Sequence, residues 1–372
     1  MQYSVINKDN LWGAFRLDAE CYKKEFSNVQ KEIESYQHIT LGDVSFITDG
    51  QHGYHKVDPN SDIKHLTAKC LKDGFVEFAN TDRLHIDTHK KNLRSSLVEN
   101  DVLIGTAGTI GNVGLVTKDV LPANMDQDMA RVHIKNSSEI NPSYLMVFLK
   151  TRLGKLQMMR ETTGQVQQHL ALEKVKKIKV PILPIQFLIE EIVKKSFTYR
   201  QNSFKSYSDA ERLLLKELNL VSWQPWHCRY FTSNFCDTQN ANRIDAEYFQ
   251  PPYKDLISHI KRNGVWNHLG KLVEIRKFKF TPKDNVEYKY IELANINNTI
   301  GEVTGFIVDL GINLPTRARQ KVQKGDIIVS SIEGSLSSCA LITDEYDGCL
   351  CSTGFHILRS RYYNPATLLC LM

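Results

Sequence analysis

Four short segments of this chain occur twice, in the same order and at nearly the same spacing. The first copies are residues 16–22, 41–42, 100–104 and 141–142, and the second copies are 243–249, 269–270, 325–329 and 364–365. The offset between the copies stays between 223 and 228 residues. A period this long does not belong to a solenoid, so the pattern predicts two homologous domains in tandem. The length of 372 residues agrees with that prediction.

The composition is that of a globular chain with a mild positive charge. Hydrophobic residues make up 42% of the chain and charged residues 24%, which is sufficient for a buried core. The net charge of +5 permits a nucleic-acid partner without requiring one. The first residues have no secretory pattern, and no apolar run approaches the roughly 18 residues that span a bilayer. We therefore expect a cytoplasmic protein with no membrane partner.

The apolar pattern predicts an α+β fold, with two tandem homologous domains of mixed strands and helices joined by a long coiled-coil helix. We expect a first domain over 1–182, a spacer helix over 183–222 and a second domain over 223–372. Residues 17–36 have helical spacing, and Asn141, followed by proline, has the form of a helix N-cap.

The second copy is shorter than the first. It reaches the counterpart of the helix that begins after Asn141, but nothing in the sequence corresponds to residues 150–220. We therefore expect the second domain to be incomplete and to lack a distal helix.

The predicted spacer helix has apolar residues at alternating steps of three and four, the spacing of a coiled-coil seam. The residues expected to dock another subunit along this seam are Ile185, Ile189, Ile192, Tyr199 and Leu213. The alternative is a long core helix of a globular domain. The position between two domain copies favours the spacer.

Motifs of catalysis and metal binding are absent or weak. The chain has no phosphate-binding Gly-x-x-x-x-Gly-Lys-Ser/Thr loop, no His-Glu-x-x-His and no Cys-x-x-Cys pair among its eight cysteines. The tetrapeptides at 141–144 and 250–253 resemble a methyltransferase catalytic loop, but no Gly-x-Gly unit that would hold S-adenosylmethionine accompanies them. The sequence thus predicts no catalytic residues, no metal and no cofactor.

Polar residues in several loops are suited to reading a nucleic acid. A glycine-rich segment between two predicted strands allows close backbone approach, and glutamine and arginine can contact base edges in pairs of hydrogen bonds. A basic run over 174–179 suits phosphates. The candidate DNA-binding residues are His52, Lys56, Thr106, Thr109, Asn112, Gln127, Arg131, Gln165, Gln168 and Lys177. The alternatives are a tight glycine turn without a ligand and ordinary solvated loops.

Taken together, these segments resemble the specificity subunits of Type I restriction–modification systems, which carry two target-recognition domains, each followed by a long helix. The resemblance covers nearly the whole chain. It is carried by residues 49–52, 100–104 continuing to 108–114, 127–128, 163–165 and 178–184.

The resemblance implies a non-catalytic subunit that binds double-stranded DNA and reads half of a bipartite target with each domain. Methyltransferase subunits would dock on the long helix and bring S-adenosylmethionine, and a restriction subunit that uses ATP to translocate DNA would join through the complex. The first alternative is the detached recognition part of a fused restriction-methyltransferase enzyme. The second is a coiled-coil interaction module that does not read DNA.

Overall fold

The computed structural model describes residues 7–8, 11, 16–78, 81–137, 139–163, 168–224, 226, 228–264, 266–276 and 279–372, apart from the side chain at 263. The chain divides into two compact units, residues 1–197 and 198–372. Each unit mixes helices and strands, which confirms the predicted fold class.

The first unit contains short strands between helices. Its helices are α1 (Lys24–Glu34), α2 (Leu41–Val44), α3 (Ile86–Lys91), α4 (Pro142–Lys150), α5 (Arg152–Glu161), α6 (Leu172–Val175) and the beginning of α7 (Gln186–Glu217). Its strands are β1 (His38–Thr40), β2 (Ser45–Asp49), β3 (Lys64–Leu66), β4 (Leu71–Lys72), β5 (Phe75–Val76), β6 (Val102–Gly105), β7 (Val113–Leu115), β8 (Ala123–Met125), β9 (Met129–Ile134) and β10 (Lys179–Pro181). Short 3-10 helices cover Ala19–Tyr22, Ala68–Cys70, Leu93–Ser95 and Lys118–Val120.

The core of the first unit lies on a four-stranded antiparallel sheet in the order β2-β9-β6-β7. Every residue of β6 is buried, as expected for a continuous run of Val, Leu and Ile covered on both faces. Helices α1, α4 and α5 contribute buried residues to the same core, among them Ile33 and Leu145. β3 and β8 pair in parallel beside a second apolar cluster.

The predicted helix over 17–36 is shorter than expected. A 3-10 turn covers Ala19–Tyr22, and α1 begins only at Lys24. The helix is interrupted because Lys23 has an extended backbone, with φ −53° and ψ 137°. Leu17, expected on the apolar face, is exposed.

The second unit contains the end of α7 and a further set of helices and strands. Its helices are α8 (Phe235–Ala241), α9 (Pro251–Asn263), α10 (Leu269–Leu272) and α11 (Pro365–Leu371). Its strands are β11 (Val273–Arg276), β12 (Glu287–Ile291), β13 (Ile296–Asn297), β14 (Glu302–Val303), β15 (Ile307–Leu310), β16 (Ala318–Lys321), β17 (Asp326–Ser330), β18 (Cys339–Leu341), β19 (Leu350–Ser352) and β20 (Phe355–Ser360). Its 3-10 helices cover Ala246–Phe249, Leu293–Asn295 and Asp344–Tyr346.

The second unit repeats the strand order of the first. Its run β11-β20-β17-β18 corresponds to β2-β9-β6-β7, and its parallel pair β12–β19 corresponds to β3–β8. Single hydrogen bonds are repeated as well. The backbone N of Leu115 donates to Gly74 at 3.0 Å, and the backbone N of Leu341 donates to Gly301 at 3.0 Å.

The residues that recur in both copies hold the scaffold. Arg16 donates two hydrogen bonds to the Asp18 carboxylate, and Arg243 makes the same fork with Asp245. Asn141 caps α4 by accepting from the backbone N of Ser143 at 2.9 Å. The corresponding Asn364 caps α11, accepting from Ala366 at 2.9 Å, so the predicted capping role is confirmed.

A buried aspartate also recurs at the start of the central strand of each sheet. Asp101 is fully buried and accepts from Arg131 Nε at 2.6 Å and from His133 Nδ1 at 2.8 Å. Asp326 is fully buried as well and accepts from Arg359 Nε at 2.8 Å and Arg276 Nη1 at 2.9 Å. Each carboxylate therefore lies between two basic side chains of its own sheet and hydrogen-bonds to both.

Helix α7 runs from Gln186 to Glu217, inside the predicted spacer of 183–222. Its beginning follows Pro184, and Asn219, in the left-handed conformation with φ 55°, lies just beyond its end. The compact units divide within this helix, whereas the predicted domain boundaries lie at its two ends. Those boundaries stay predictions. In the described parts of the chain, no helix combines the length and apolar character required to cross a membrane.

Candidate nucleic-acid interface

Four of the polar loops singled out in the sequence meet in the first unit. The backbone N of Gln51 donates to Met125 at 3.0 Å, and the backbone N of Thr106 donates to Asp128 at 2.8 Å. Ala107 forms a β-bridge with His169. We call residues 49–56, 105–112, 124–131 and the described part of 162–169 the clustered loops. They come from distant parts of the sequence, and backbone hydrogen bonds fix them side by side.

Two glycines allow close backbone contacts, one between two clustered loops and one within the glycine-rich loop. A Cβ atom on Gly50 would lie 2.0 Å from the backbone oxygen of Asp126. A Cβ atom on Gly105 would lie 2.5 Å from the backbone oxygen of Thr109. Both distances are shorter than any van der Waals contact, so only glycine allows the backbones to approach in this way.

The first clustered loop is held by a carboxylate that takes two partners. Asp49 accepts from His52 Nε2 at 2.7 Å and faces Arg94 Nη1 at 3.2 Å. Burial opposes ionisation of Asp49, but the His52 hydrogen bond and the Arg94 charge outweigh it and lower its pKa. Arg94 also donates to the backbone oxygen of Gly50 at 3.3 Å. The side chain of Lys56 is exposed.

The three predicted DNA-binding residues of the glycine-rich loop are buried or form hydrogen bonds within the first unit. Thr106 is buried, Thr109 donates its hydroxyl to the backbone oxygen of Ala68 at 3.2 Å, and the Asn112 amide donates to Leu71 at 3.1 Å. These bonds hold the loop against the short hairpin β4–β5. Base contact by these three residues stays a prediction that no contact in the fold supports.

Gln127 and Arg131 differ sharply in their surroundings. Gln127 is exposed between Asp126 and Asp128, where its amide can reach outward. Arg131 lies on β9, and its guanidinium is paired with the buried Asp101. An arginine that neutralises a buried carboxylate is poorly placed to contact bases, so Gln127 is the stronger candidate of the two.

The remaining candidates lie around the fourth clustered loop and the basic run. Gln168 is exposed, whereas Gln165 falls outside the described residues. Lys174 pairs with Glu161 at 2.9 Å and Lys176 with Glu173 at 2.6 Å. Lys177 is exposed and forms no ion pair with any residue that the structure describes, so its ammonium is available to a phosphate.

Sequence reasoning missed Arg94 and the partner of Arg131. Arg94 lies in a 3-10 helix of three residues that has no motif, and only the spatial proximity of Asp49 reveals its role. The Asp101 pairing crosses two strands separated by about thirty positions in the sequence.

Both tetrapeptides that resemble a catalytic loop are helix starts. Asn141 caps α4 as described, and the two prolines at 251–252 form the first turn of α9. The hydroxyl of Tyr253 donates to Glu247 at 3.2 Å. Each tetrapeptide thus has a structural role.

The predicted docking residues occupy two faces of α7. Ile189 packs against the core of the first unit together with Val193 and Phe197. Four of the predicted residues are exposed instead: Ile185, Ile192, Tyr199 and Leu213. The helix therefore has an inward stripe for its own domain and a separate outward apolar stripe. We call Ile185, Leu188, Ile192 and Tyr199 the outer stripe.

A carboxyl within the third clustered loop makes stability depend on pH. Burial raises the pKa of Asp126 to about 6. The negative charge of Asp128 also raises this pKa, whereas the hydrogen bond from the backbone N of Asp128 lowers it. Because this pKa exceeds the unfolded value of about 3.9, the folded state holds the proton more tightly. Stability from this group is present below about pH 4 and is lost as the pH rises through about 6.

Replacing Asp126 with asparagine should therefore raise the free energy of unfolding by about 1–3 kcal/mol near neutral pH. Asparagine keeps the oxygen that accepts from Asp128 but carries no charge. Urea denaturation at a series of pH values measures the effect, with the exposed Asp119→Asn as the matched control. A gain that does not shrink toward acid pH would contradict this explanation.

Comparisons with known proteins agree with these features. Residues 34–200 match the family described as Type I restriction modification DNA specificity domain. The chain is 24% identical over 200 residues to the Type I restriction enzyme EcoBI specificity subunit of Escherichia coli, with 50% of this chain and 42% of the relative covered. It thus spans less than half of that relative's length.

Two solved structures show weaker likeness. The S subunit of a Type I restriction-modification system from M. genitalium gives a TM-score of 0.39 at 12% identity, covering 90% of this chain and 75% of that chain. The HsdS subunit from Thermoanaerobacter tengcongensis gives 0.31 at 14% identity, covering 90% and 78%. Both TM-scores are too low to establish a shared fold.

Proposed function

We propose that the chain reads DNA for a restriction–modification complex without catalysing a reaction, because residues 34–200 match the family described as Type I restriction modification DNA specificity domain. The first unit reads one half of a bipartite target in double-stranded DNA, and the second unit reads the other half. Methyltransferase subunits dock on α7, and the restriction subunit that translocates DNA joins through them. The chain needs no cofactor of its own.

The convergence of the clustered loops is the observation that carries the proposal. Hydrogen bonds join the backbones of these loops, and the loops carry the exposed side chains of Lys56, Gln127 and Gln168. A glutamine amide can donate to and accept from an adenine edge at the same time, and a lysine can contact a phosphate. The ion pair between Arg94, whose side chain is 62% exposed, and the partly buried Asp49 links the 3-10 helix Leu93–Ser95 to the first clustered loop.

The difference between the two copies supports two distinct half-sites. The scaffold residues recur, but the glycine-rich loop at 105–113 is replaced by a serine-rich loop at 330–338. In the second loop, the Ser330 and Ser335 hydroxyls share a hydrogen bond of 2.8 Å. Two domains with the same scaffold but different loop side chains can recognise two different DNA sequences.

DNA binding tests the proposal. Selection from random duplexes by the chain with its methyltransferase subunits should yield a bipartite sequence. Gln127→Ala should then cost about 1–3 kcal/mol at one base position and relax the preference there. Lys177→Ala should weaken binding to all DNA sequences alike and make the slope of log affinity against log salt concentration less steep by about one.

Two variants of the first unit outside α7 serve as matched controls for this experiment. Gln37→Ala and Lys118→Ala change the same residue types at exposed positions outside the clustered loops, so both should bind as the wild type does. Selection that recovers no preferred sequence would overturn the proposed reading of DNA. An equal loss of affinity in the controls would show that the two test residues have no special role.

A further inference from the structure

Two histidines and an aspartate of the first unit form a cluster that DNA reading does not use. One ligand atom from each of His55, His65 and Asp82 lies within 4.8 Å of the other two. The His55 Nε2 and Asp82 Oδ2 atoms are 3.8 Å apart, and the two imidazole ring centres are 3.9 Å apart. The three residues form no sequence motif because they come from separated segments of the chain.

The environment of His65 points to a missing ligand. The residue is only 5% exposed, and its Nε2 atom is buried with no hydrogen-bond partner. An unsatisfied buried polar atom destabilises a fold, so its presence calls for an explanation. Burial, with the nearby His55, lowers the pKa of His65 to about 4, and the neutral imidazole retains a lone pair.

The backbone around the cluster is already fixed. The backbone N of His65 donates to Asp82 at 2.9 Å, and β-bridges join Val57 to Leu84 and Lys64 to Arg83. The ligands of a tetrahedral zinc ion lie about 3.3 Å from each other. Side-chain rotation would bring the ligand atoms, which lie within 4.8 Å of one another, to that spacing, and the Asp82 side chain is 66% exposed.

We infer that His55, His65 and Asp82 bind a divalent transition-metal ion of the Zn²⁺ class, with a fourth position open to water. Two imidazoles and a carboxylate suit Zn²⁺ and its neighbours better than Mg²⁺ or Ca²⁺, which prefer oxygen ligands alone. A bound ion would join the first clustered loop, through His55, to β3. Its binding does not depend on the proposed reading of DNA.

The second unit shows that the scaffold does not require this site. His65 pairs with Asn124 across β3–β8, and Tyr290 pairs with Leu350 across β12–β19. Both residues come three positions before a 3-10 helix, at Ala68 and at Leu293. Tyr290 is thus the counterpart of His65, so an aromatic ring without a metal is compatible with this fold.

Titration of chelator-treated full-length protein with Zn²⁺ tests the inference. We expect a single tight site that raises the melting temperature and is weakened at least about tenfold by His55→Ala, Asp82→Ala and His65→Phe. Asp82 is exposed, so its replacement should leave the metal-free fold unchanged. The controls His52→Ala and His169→Ala should bind as the wild type does.

Cobalt substitution separates this site from binding by cysteine. Co²⁺ bound to nitrogen and oxygen ligands should give visible absorption without a thiolate charge-transfer band. Either of two results would overturn the inference: no Zn²⁺ binding by the wild type, or tight binding that persists in all three cluster variants.

Discussion

Replacing Asp101 with asparagine is expected to lower the free energy of unfolding of the first unit by about 3–5 kcal/mol. The carboxylate is fully buried, and Arg131 Nε and His133 Nδ1 lie 2.6 Å and 2.8 Å from its oxygens. It also accepts from the backbone N of Val98 at 2.8 Å. Asparagine has the same shape, but it leaves the Arg131 charge uncompensated and turns one acceptor into a donor.

The duplication supplies a second test of the same mechanism. Asp326→Asn removes the buried charge that faces Arg276 and Arg359, so a loss of similar size is expected in the second unit. Hydrogen exchange on the full chain separates the effects: Asp101→Asn should expose β6 and β9, and Asp326→Asn should expose β17 and β20. Exposed Asp119→Asn should change stability by less than about 0.5 kcal/mol. A loss below about 1 kcal/mol for Asp101→Asn would contradict the assigned role.

Local patterns in the sequence were sufficient to predict the helix caps and the two related units. The Asn-Pro pairs cap helices where expected, because an N-cap involves only residues two or three positions apart. The duplication predicted two units with the same strand order for a related reason. Each unit buries its own core, so the segments that determine its fold lie within that unit. Segments that recur in both copies therefore predict the same arrangement of strands in both units.

The candidate interface was harder to predict because it depends on contacts between distant segments. Sequence alone gave four polar loops but could not show that Gln51 meets Met125 or that Thr106 meets Asp128. It also gave no means of separating Gln127, which is exposed, from Arg131, which is paired with Asp101. Residue type indicates what a side chain can do, whereas burial and partners decide whether it is available.

In α7, too, the sequence could not show which apolar residues pack against the first unit and which are exposed. The three-four spacing placed Ile189 and Ile192 on one seam, but these residues face different surroundings. When a helix has two apolar stripes, residues from both stripes can fit the same three-four spacing, so the spacing alone does not assign a residue to one stripe. Only packing against the first unit shows that Val193 and Phe197 belong to the inward stripe.

Two neighbouring substitutions in α7 should have opposite consequences. Val193 is 8% exposed in the core of the first unit, so Val193→Asp buries an unpaired charge and should lower the free energy of unfolding by about 3 kcal/mol or more. Ile192, on the outer stripe, is 57% exposed, so Ile192→Asp should change stability by less than about 0.5 kcal/mol.

Ile192→Asp should instead weaken binding of the methyltransferase subunits by at least about tenfold, because a carboxylate would enter an apolar contact. Denaturation of the isolated chain and co-purification with the methyltransferase subunits measure the two effects separately. Tyr199→Asp, on the same stripe at 71% exposure, should repeat the result for Ile192, whereas Gln201→Asp, at an exposed position on the opposite side of α7, should bind as the wild type does. If both outer-stripe variants bind the methyltransferase normally, docking does not use the outer stripe.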